Sequence, residues 1–582
     1  MYPTEGLLRA WTDSFGSAFN IFSSKSGQIH SIEVKAPLKL KETESLRCTV
    51  SLCEKEFASS YGAPFLGQYQ PDFAACGPAT EWSSVVLIYH GRLDLNRCDL
   101  EIHLITRKTY NYLASVSGRQ FDRIGGVWIG GSPMLNLRYT STEPSGPSMV
   151  TYWKEQVDVS EYMSLLDVKQ PVVVSLDNIV DGTYTGIFNV SVSLDFYTDS
   201  KPIEKDVPDM IVPLSVSDSS YGWFSLPLAE GIPAYATLPP IPQTATRAQV
   251  KVYLSAHGND EFWYSNVPND QQADGIFGGG SFKEVQLFID DKLVGLDWPF
   301  PTIYTGGINP LLWRPIVAIG TYHVPEIIFD VTPALPYLFL KGSHRIGFNI
   351  TTAANGYWFV EGNLQIWTDK GLDLNHQFQG NVDAEVIKTT VPVENVHGSM
   401  KNELSVRTTA ENSWKISGSI LTSKGWKTTK VEKTLKYRNK NEFTRNGLNN
   451  LMSQTTEINS KITTLFPSFS TTTFDRKIYP LTVGLNYTIG DGSKFQFDAL
   501  VDHGLKEWKG ESDKITHSLD IHQIAVGTFG TFPTTINYGN QNQTYSSKTP
   551  EQCYTRDIQI RNRQIYSDNE GSGCLNGVLK IQ

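Results

Sequence analysis

The feature of this sequence that most limits its fold is a recurrent pattern of short β-branched and aromatic runs closed by turn residues. Clear examples are residues 171–176 (PVVVSL), 188–197 (FNVSVSLDFY) and 285–293 (VQLFIDDKL). In the second, Val, Val, Leu and Phe at 190, 192, 194 and 196 alternate with polar residues, as in a half-buried antiparallel strand. Helix signals are scarce, the best being residues 445–455 (RNGLNNLMSQT), and no βαβ spacing occurs. The pattern predicts an all-β chain built from sandwiches.

Length and composition restrict the class of protein further. The 582 residues suffice for about three domains. Hydrophobic residues make up 40% and charged residues 19%, which suits large buried cores and excludes a disordered chain or a coiled coil. The net charge of −10 argues against nucleic-acid binding, and no apolar run is long enough to span a membrane. Charge and proline interrupt the strand rhythm near residues 198–212, and the chain becomes more polar after residues 369–379.

Six cysteines lie near the two ends of the chain, at positions 48, 53, 76, 98, 553 and 574. They form no paired CxxC motif, so we expect local disulfides rather than a zinc site. Four N-x-S/T sequons, at Asn189, Asn349, Asn486 and Asn542, are candidate N-glycosylation sites. Both features predict a protein of the secretory pathway, either extracellular or in a vacuole or lysosome-like compartment. No signal peptide is visible in the first residues, and we expect that the true leader is missing from this sequence.

Several motifs, in a fixed order, resemble one known family. They are residues 60–69 (SYGAPFLGQY), 118–131 (GRQFDRIGGVWIGG), 183–196 (TYTGIFNVSVSLDF), 259–266 (NDEFWYSN) and 298–315 (WPFPTIYTGGINPLLWRP). They look like the plant and fungal acidic peptide:N-glycanases, the peptide-N4-(N-acetyl-β-glucosaminyl)asparagine amidase A family, over about residues 46–370. One departure is the segment 91–115, where the family has only a few residues; it is either a genuine insertion or an error in the gene model.

The resemblance implies a fold of two adjacent jelly-roll β-sandwiches with the active site in the cleft between them. We accordingly assign residues 1–30 to an N-terminal leader or extension, 31–205 to the first sandwich and 206–372 to the second. Residues 373–582 are assigned to an additional C-terminal β-rich domain.

The activity implied by the resemblance is hydrolysis of the amide that joins an N-linked glycan to asparagine, without a metal or other cofactor. The substrates implied are N-glycosylated peptides and proteins, and the enzyme is expected to be a monomer or a proteolytically split heterodimer. Such a reaction needs a base to activate water, donors for the oxyanion and an acid near the leaving nitrogen.

The first sandwich is expected to supply Asp122 as the first catalytic residue, since it matches the catalytic Asp of the Asp-Arg pair in bacterial relatives. Arg123 faces the opposite way on a regular strand and reaches the same site only if the backbone turns. Asp177 resembles the position of a further acidic residue in those relatives. The alternative for Asp122 is an Asp at the end of a strand that pairs with an Arg.

The second sandwich is expected to supply Glu261 as the second catalytic residue. Asp260 is its competitor, because adjacent strand positions face opposite ways. Trp263 and Tyr264 are candidates for stacking on a sugar ring, or else belong to the core. Arg314 is a candidate donor to a substrate oxygen, or else a structural ion pair. His257 is interpreted as a solvated loop histidine.

The family pattern implies two disulfides, Cys48–Cys76 and Cys553–Cys574. Cys98 lies inside the segment 91–115, which leaves a Cys53–Cys98 bond doubtful.

Two other functions fit the same residues. A glycosidase would use Asp122 and Glu261 as its carboxylate pair and leave a GlcNAc on the peptide. A non-catalytic glycan-binding protein would bind the glycan without turnover.

Overall fold

The computed structural model shows an all-β protein. It describes residues 28–30, 32–37, 44–94, 123–137, 150–182, 184, 186–199, 206–216, 222–228, 232–273, 275–304, 306–352, 355–372, 380–384, 387–491, 494–531, 533–550 and 552–571. These residues form five sheets. Four of the sheets pair into two sandwiches, and the fifth is a large C-terminal sheet. The predicted fold class, two adjacent jelly-roll sandwiches with an additional C-terminal β-rich domain, is confirmed.

The first sandwich packs a five-stranded sheet, in the order β1-β7-β4-β9-β2, against a four-stranded sheet, β3-β8-β5-β6. The strands are β1 (Gln28–His30), β2 (Glu44–Phe57), β3 (Phe65–Tyr69), β4 (Trp82–Asp94), β5 (Gly125–Ile129), β6 (Ser132–Leu137), β7 (Val150–Asp158), β8 (Gln170–Leu176) and β9 (Ile187–Asp199), with short helices α1 (Phe73–Cys76) and α2 (Met163–Leu166). The predicted alternation is confirmed in β9, whose residues 188, 190, 192, 194 and 196 are all buried in the shared core.

The second sandwich repeats this arrangement with the sheets β10-β18-β13-β16 and β12-β17-β14-β15, and β11 pairs with β18. The strands are β10 (Met210–Leu214), β11 (Phe224–Leu226), β12 (Ala234–Thr237), β13 (Ala245–Gly258), β14 (Val285–Ile289), β15 (Lys292–Asp297), β16 (Ile327–Asp330), β17 (Arg345–Ile350) and β18 (Gly356–Thr368), with the helix α3 (Leu335–Leu338).

The C-terminal part is a sheet of long antiparallel strands in sequential order, with β20 paired to β21 beside β19. The strands are β19 (Gly380–Ala384), β20 (Val393–Gly398), β21 (Leu404–Thr422), β22 (Gly425–Thr444), β23 (Asn449–Leu465), β24 (Ser470–Ile489), β25 (Phe495–Glu511), β26 (Lys514–Gly530), β27 (Ile536–Lys548), β28 (Cys553–Arg561) and β29 (Gln564–Gly571). The sheets change over between Asp199 and Met210 and between Thr368 and Gly380, where the strand rhythm of the sequence is interrupted.

The candidate helix at residues 445–455 is wrong. Residues 445–448 form a turn, with positive φ at Arg445, Asn446 and Gly447, and β23 begins at Asn449. Pairing with β22 and β24 along the whole strand satisfies its backbone, and Met452 enters the core. This non-local pairing outweighs the weak local helix preference.

One face of the large sheet packs against the second sandwich, a contact that we call the seam. Apolar side chains from both sides merge into one core, and several buried amides donate to main-chain carbonyls of the second sandwich. These bonds run from Asn439 to Tyr264 (2.8 Å), Asn441 to Ser265 (2.8 Å), Gln523 to Val317 (3.0 Å) and Gln541 to Ile316 (2.9 Å). The seam therefore holds the second sandwich through paired polar groups as well as apolar packing.

The predicted Cys48–Cys76 disulfide is confirmed and ties β2 to α1, with a Cα–Cα distance of 5.2 Å. Cys53 is a buried free thiol, whose pKa is raised to about 12 mainly by burial, and Cys98, its doubtful partner, lies outside the described residues. Cys553 is disulfide-bonded, and its predicted partner Cys574 lies outside the described residues.

Among the described residues, no helix has the length and apolar character required to cross a membrane.

Candidate active site between the two sandwiches

The turn that follows β13 carries both acidic candidates of the second sandwich and sends them in opposite directions. Gly258 starts the turn with φ of 60°, at a point where a Cβ would lie 2.7 Å from the carbonyl oxygen of Asn355. The amides of Asp260 and Glu261 then donate to the carbonyls of His257 and Gly258, both at 3.1 Å. This tight turn leaves Asp260 inside the sandwich and Glu261 at its boundary.

Asp260 is fully buried and saturated with partners. Its carboxylate lies 3.1 Å from the buried ammonium of Lys283 and accepts hydrogen bonds from the Trp358 indole (2.9 Å) and the Asn266 amide (3.1 Å). A carboxylate held by three buried donors fixes the turn and is not available to a substrate in this arrangement.

Glu261 is half-buried, and its environment differs from that of Asp260. Burial raises the pKa of Glu261 from 4.5 to about 7. A carboxyl group of this kind is still protonated at weakly acidic pH, which is the state required of a general acid.

Two exposed tyrosines lie on either side of the boundary near Glu261. Tyr357, on β18 of the second sandwich, is 40% exposed, and Tyr61, in the turn between β2 and β3 of the first, is 60% exposed. Burial raises the pKa of Tyr357, and the neighbouring Tyr61 and Glu261 raise it further. The three side chains therefore lie near one another where the two sandwiches face each other.

Asp177 approaches the same turn from the end of β8 in the first sandwich. The backbone N–H of Gly62, the residue after Tyr61, donates to its carboxylate, and Arg123 attracts it. Both lower the pKa of Asp177, but partial burial outweighs them and the pKa is raised overall. Asp177 thus contacts the Tyr61–Gly62 turn, and both Tyr61 and Glu261 lie near Tyr357; we call Tyr61, Gly62, Asp177, Glu261 and Tyr357 the inter-sandwich site.

Hydrogen bonds of the preceding residue, Ser60, join the Tyr61–Gly62 turn to the end of β8. The Ser60 amide donates to the Asn178 carbonyl (2.9 Å), and the Ser60 hydroxyl donates to the Leu176 carbonyl (2.6 Å). The buried Asn178 side chain accepts a bond from Arg123 Nε (2.9 Å). Arg123 lies over the ring of Tyr184, 5.4 Å from its centroid. Arg123 is therefore buried in the scaffold of the first sandwich, while Asp122, the residue before it, lies outside the described residues.

A buried carboxylate that the sequence reasoning missed connects the two sandwiches. Glu361 on β18 accepts hydrogen bonds from the indoles of Trp128 on β5 (2.6 Å) and Trp223 (2.7 Å). It lies on the face of β18 that also carries Tyr357 and Phe359. An acidic residue directly after the apolar and aromatic run 357–360 (YWFV) is the signal that could have revealed it.

Three expectations for this region need correction. Trp263 and Tyr264 are 2% and 1% exposed, packed in the core, so neither offers the ring face that sugar stacking requires. His257 is not a solvated loop residue: it lies on β13, is 7% exposed and is stacked with Tyr304 and Tyr357. The sequence motif showed these aromatic residues but not which way they face.

Arg314 is buried in the connection between β15 and β16 of the second sandwich. Its neighbour Pro315 accepts a bond from the Ile32 amide at 2.9 Å. The proposed contact of Arg314 with a substrate oxygen stays a prediction.

The four sequon asparagines all lie on strands. Asn542 on β27 is exposed, whereas Asn189, Asn349 and Asn486 are half-buried. Their glycosylation stays a prediction.

Within the described part of the chain, no three His, Cys, Asp or Glu side chains are grouped so as to hold a metal ion.

Comparison with known proteins places these residues in a family. Residues 105–384 match the family "Peptide N-acetyl-beta-D-glucosaminyl asparaginase amidase A", and residues 405–481 match the C-terminal domain of the same family. The peptide-N4-(N-acetyl-beta-glucosaminyl)asparagine amidase A of Prunus dulcis is 30% identical over 569 residues, which cover 93% of this chain and 92% of the almond protein.

Two solved amidase structures show a weak similarity to this chain. A crystal structure of a peptide-N(4)-(N-acetyl-beta-D-glucosaminyl)asparagine amidase has a TM-score of 0.31 and 12% identity, and covers 55% of this chain and 96% of its own. PNGase F, a glycosylasparaginase from Flavobacterium meningosepticum, has a TM-score of 0.30, 12% identity and the same coverage. From its identity and coverage against the almond protein, the chain belongs to the peptide-N4-(N-acetyl-beta-glucosaminyl)asparagine amidase A family.

Proposed function

We propose that this protein hydrolyses the amide bond between the proximal GlcNAc of an N-glycan and asparagine in glycopeptides and glycoproteins. The observation that carries the proposal is Glu261, a half-buried acid with a pKa of about 7 that, like Tyr61 of the other sandwich, lies near Tyr357. Membership of the amidase A family over nearly the whole chain supports the same reaction.

The chemistry requires water to be added across the amide. A base takes a proton from water while the water oxygen bonds to the carbonyl carbon, and the C=O electron pair moves onto the oxygen. As the tetrahedral centre collapses, the C–N bond breaks and the nitrogen accepts a proton. The products are aspartate and a glycosylamine. We assign the base to Asp122 because of its motif; in the sequence it directly precedes Arg123, whose side chain is bound to Asn178.

Glu261 is proposed as the acid that protonates the leaving nitrogen. Below about pH 7 its carboxyl group retains the proton, because burial disfavours the charged form. The exposed rings of Tyr61 and Tyr357 are proposed to contact the proximal sugar, the role first assigned to Trp263 and Tyr264. Asp177, held by Gly62 and Arg123, is proposed to accept a hydrogen bond from the same sugar.

The decisive experiment is to incubate the purified full chain with a denatured glycopeptide at about pH 5 and to identify the product by mass spectrometry. An amidase leaves aspartate at the former glycosylation site, a glycosidase leaves a GlcNAc on the peptide, and a glycan-binding protein leaves the substrate intact. Asp122→Asn and Glu261→Gln should each lower turnover by about 10²–10⁴-fold. Glu411→Gln, which changes an exposed acid on β21, serves as the control and should keep full activity. Intact substrate with the wild-type protein, or full activity in Glu261→Gln, would contradict the proposal.

We also propose that the protein works in the secretory pathway, extracellularly or in an acidic vacuole or lysosome-like compartment, as a monomer or a proteolytically split heterodimer. The Cys48–Cys76 disulfide supports an oxidising compartment. Expression with a cleavable leader should give secreted, disulfide-bonded and active protein. Activity found only in the reduced cytosolic fraction would contradict this assignment.

A further inference from the structure

A groove of about 690 Å³ crosses the solvent-facing side of the C-terminal sheet, away from the inter-sandwich site. It lies close to the turns that join β22 to β23, β24 to β25 and β26 to β27. The opposite face of β22 at this end carries Asn439 and Asn441, which bind the carbonyls of Tyr264 and Ser265 in the turn that presents Glu261. The groove therefore lies on the back of the strands that support the candidate active site.

The strand register places two contrasting rows of side chains in this groove. One row is mainly aliphatic with a gap at its centre, and consists of Glu442, Leu451, Gly484, Leu500 and Val526. The other row is polar, and consists of Thr444, Asn449, Asn486, Asp498, Thr528 and Tyr538. The rows lie two residues apart along the strands, about 7 Å, and the polar row crosses six strands, about 24 Å.

The polar row is organised by hydrogen bonds between neighbouring strands. Asp498 accepts bonds from Asn486 (2.9 Å) and Thr528 (2.7 Å), and Arg445 donates to Asn486 Oδ1 (3.4 Å). This arrangement fixes a line of amide, carboxylate and hydroxyl groups along one wall of the groove.

The gap in the aliphatic row is made by a glycine that neither the backbone nor the packing requires. A Cβ on Gly484 would meet Leu500 at 3.6 Å and Leu451 at 3.8 Å, which are ordinary contacts, and its φ is not positive. By contrast, a Cβ on Gly418 of the same sheet would lie 1.9 Å from a carbonyl oxygen. Glycine inside a strand weakens the strand, and where no neighbour demands it, it often marks the close approach of a ligand.

We propose that this groove binds a neutral oligosaccharide, which lies across the strands with the apolar faces of its rings over Leu451, Gly484 and Leu500. Its hydroxyl groups would exchange hydrogen bonds with the row centred on Asn486 and Asp498. Leu451 and Leu500 are 49% and 37% exposed, so both offer an apolar surface. Acidic Glu442 and Asp498 line the groove, and the nearby cations Lys440 and Arg445 are already bound to Glu442 and Asn486, an arrangement that does not favour an anionic ligand.

A peptide strand is not the expected occupant. The backbone groups of β23, β24 and β25 are already paired with their neighbours, so the groove is the face of a sheet and not an edge that could accept another strand. Saccharide binding requires no amide hydrolysis and is therefore measured separately from the proposed activity.

The test is calorimetric titration of the full chain with a released neutral oligomannose N-glycan, which has no asparagine to cleave. The wild-type protein should show a binding event that Gly484→Phe weakens at least tenfold by filling the groove. Thr482→Phe is the matched control: it adds the same ring two residues away on the same strand and should bind like the wild type. Hydrolysis of a short glycopeptide should be unchanged in Gly484→Phe, which separates this site from the inter-sandwich site.

A second pair of variants keeps the test valid if Gly484→Phe does not fold. Asp498→Asn should weaken glycan binding several-fold, whereas Asp502→Asn on the same strand, paired with His522 outside the groove, should not. No glycan binding by the wild type, or equal binding by Asp498→Asn and the wild type, would overturn the proposal. A glycan attached covalently to Asn486 would also overturn it, because the glycosylation predicted from its sequon and the proposed binding exclude each other.

Discussion

Polar groups are arranged differently on two surfaces of the second sandwich, the seam and the boundary with the first sandwich. At the seam, the buried amides of Asn439, Asn441, Gln523 and Gln541 each donate to a main-chain carbonyl. At the boundary with the first sandwich, Glu261 is half-buried and its pKa is raised by burial. The seam is organised for stability, whereas the boundary holds an ionisable group in a state suited to proton transfer.

The contrast is sharpest between two consecutive residues. Asp260 turns inward to Lys283 and Trp358, and Glu261 turns outward toward Tyr357. Both are acidic and belong to the same motif. Their surroundings differ, so that Asp260 stabilises the turn whereas Glu261 is suited to proton transfer. The following predictions test this division.

Replacing Asp260 should have the largest effect on stability. Asp260→Ala leaves the buried ammonium of Lys283 without its partner, which should lower the free energy of unfolding by about 3–5 kcal/mol. The control, Asp291→Ala, removes an exposed pair with Arg345 and should change it by about 1 kcal/mol or less. Urea denaturation measures both. Equal stability of the two variants would contradict the structural role of Asp260.

A smaller effect is expected at the seam. Asn439→Ala removes the donor to the Tyr264 carbonyl and should cost about 1–3 kcal/mol by leaving that buried oxygen unsatisfied. Lys440→Ala, the next residue on β22, breaks a surface pair with Glu442 and should cost about 1 kcal/mol or less. If Asn439→Ala unfolds at the same urea concentration as the wild type, the seam does not depend on its amides.

The smallest effect is expected at the exposed edge of the inter-sandwich site. Tyr61→Phe removes one hydroxyl group and should lower kcat/KM for a glycopeptide about 3–10-fold, the value of one hydrogen bond, without changing stability. Tyr566→Phe, on β29, alters a tyrosine of similar exposure far from the site and should be neutral. Unchanged kcat/KM in Tyr61→Phe would show that the hydroxyl group of Tyr61 makes no hydrogen bond to the substrate.

The sequence predicted the architecture because strand alternation is local and repetitive, as in β9. It failed at residues 445–455, because the partners that make β23 a strand lie in β22 and β24. Long-range pairing of this kind is invisible to a window of a few residues.

The candidate site was predictable in part. The motif at residues 259–266 located Glu261, but the choice between Glu261 and Asp260 depends on a tight turn after β13 that alternation cannot describe. The orientation of Trp263 and Tyr264 was missed for the same reason. Glu361 was missed because its partners, Trp128 and Trp223, come from distant parts of the chain.

The most direct test of the account is the pH dependence of kcat/KM for a glycopeptide, measured by mass spectrometry from pH 4 to 9. A general acid acts only while it is protonated, and the pKa of Glu261 is raised to about 7, so the wild-type rate should fall as the pH rises through 7. In Glu261→Gln, the residual rate should be much lower and should show no decline near pH 7. A wild-type rate that stays constant through pH 7, or the same decline in Glu261→Gln, would contradict the role assigned to Glu261.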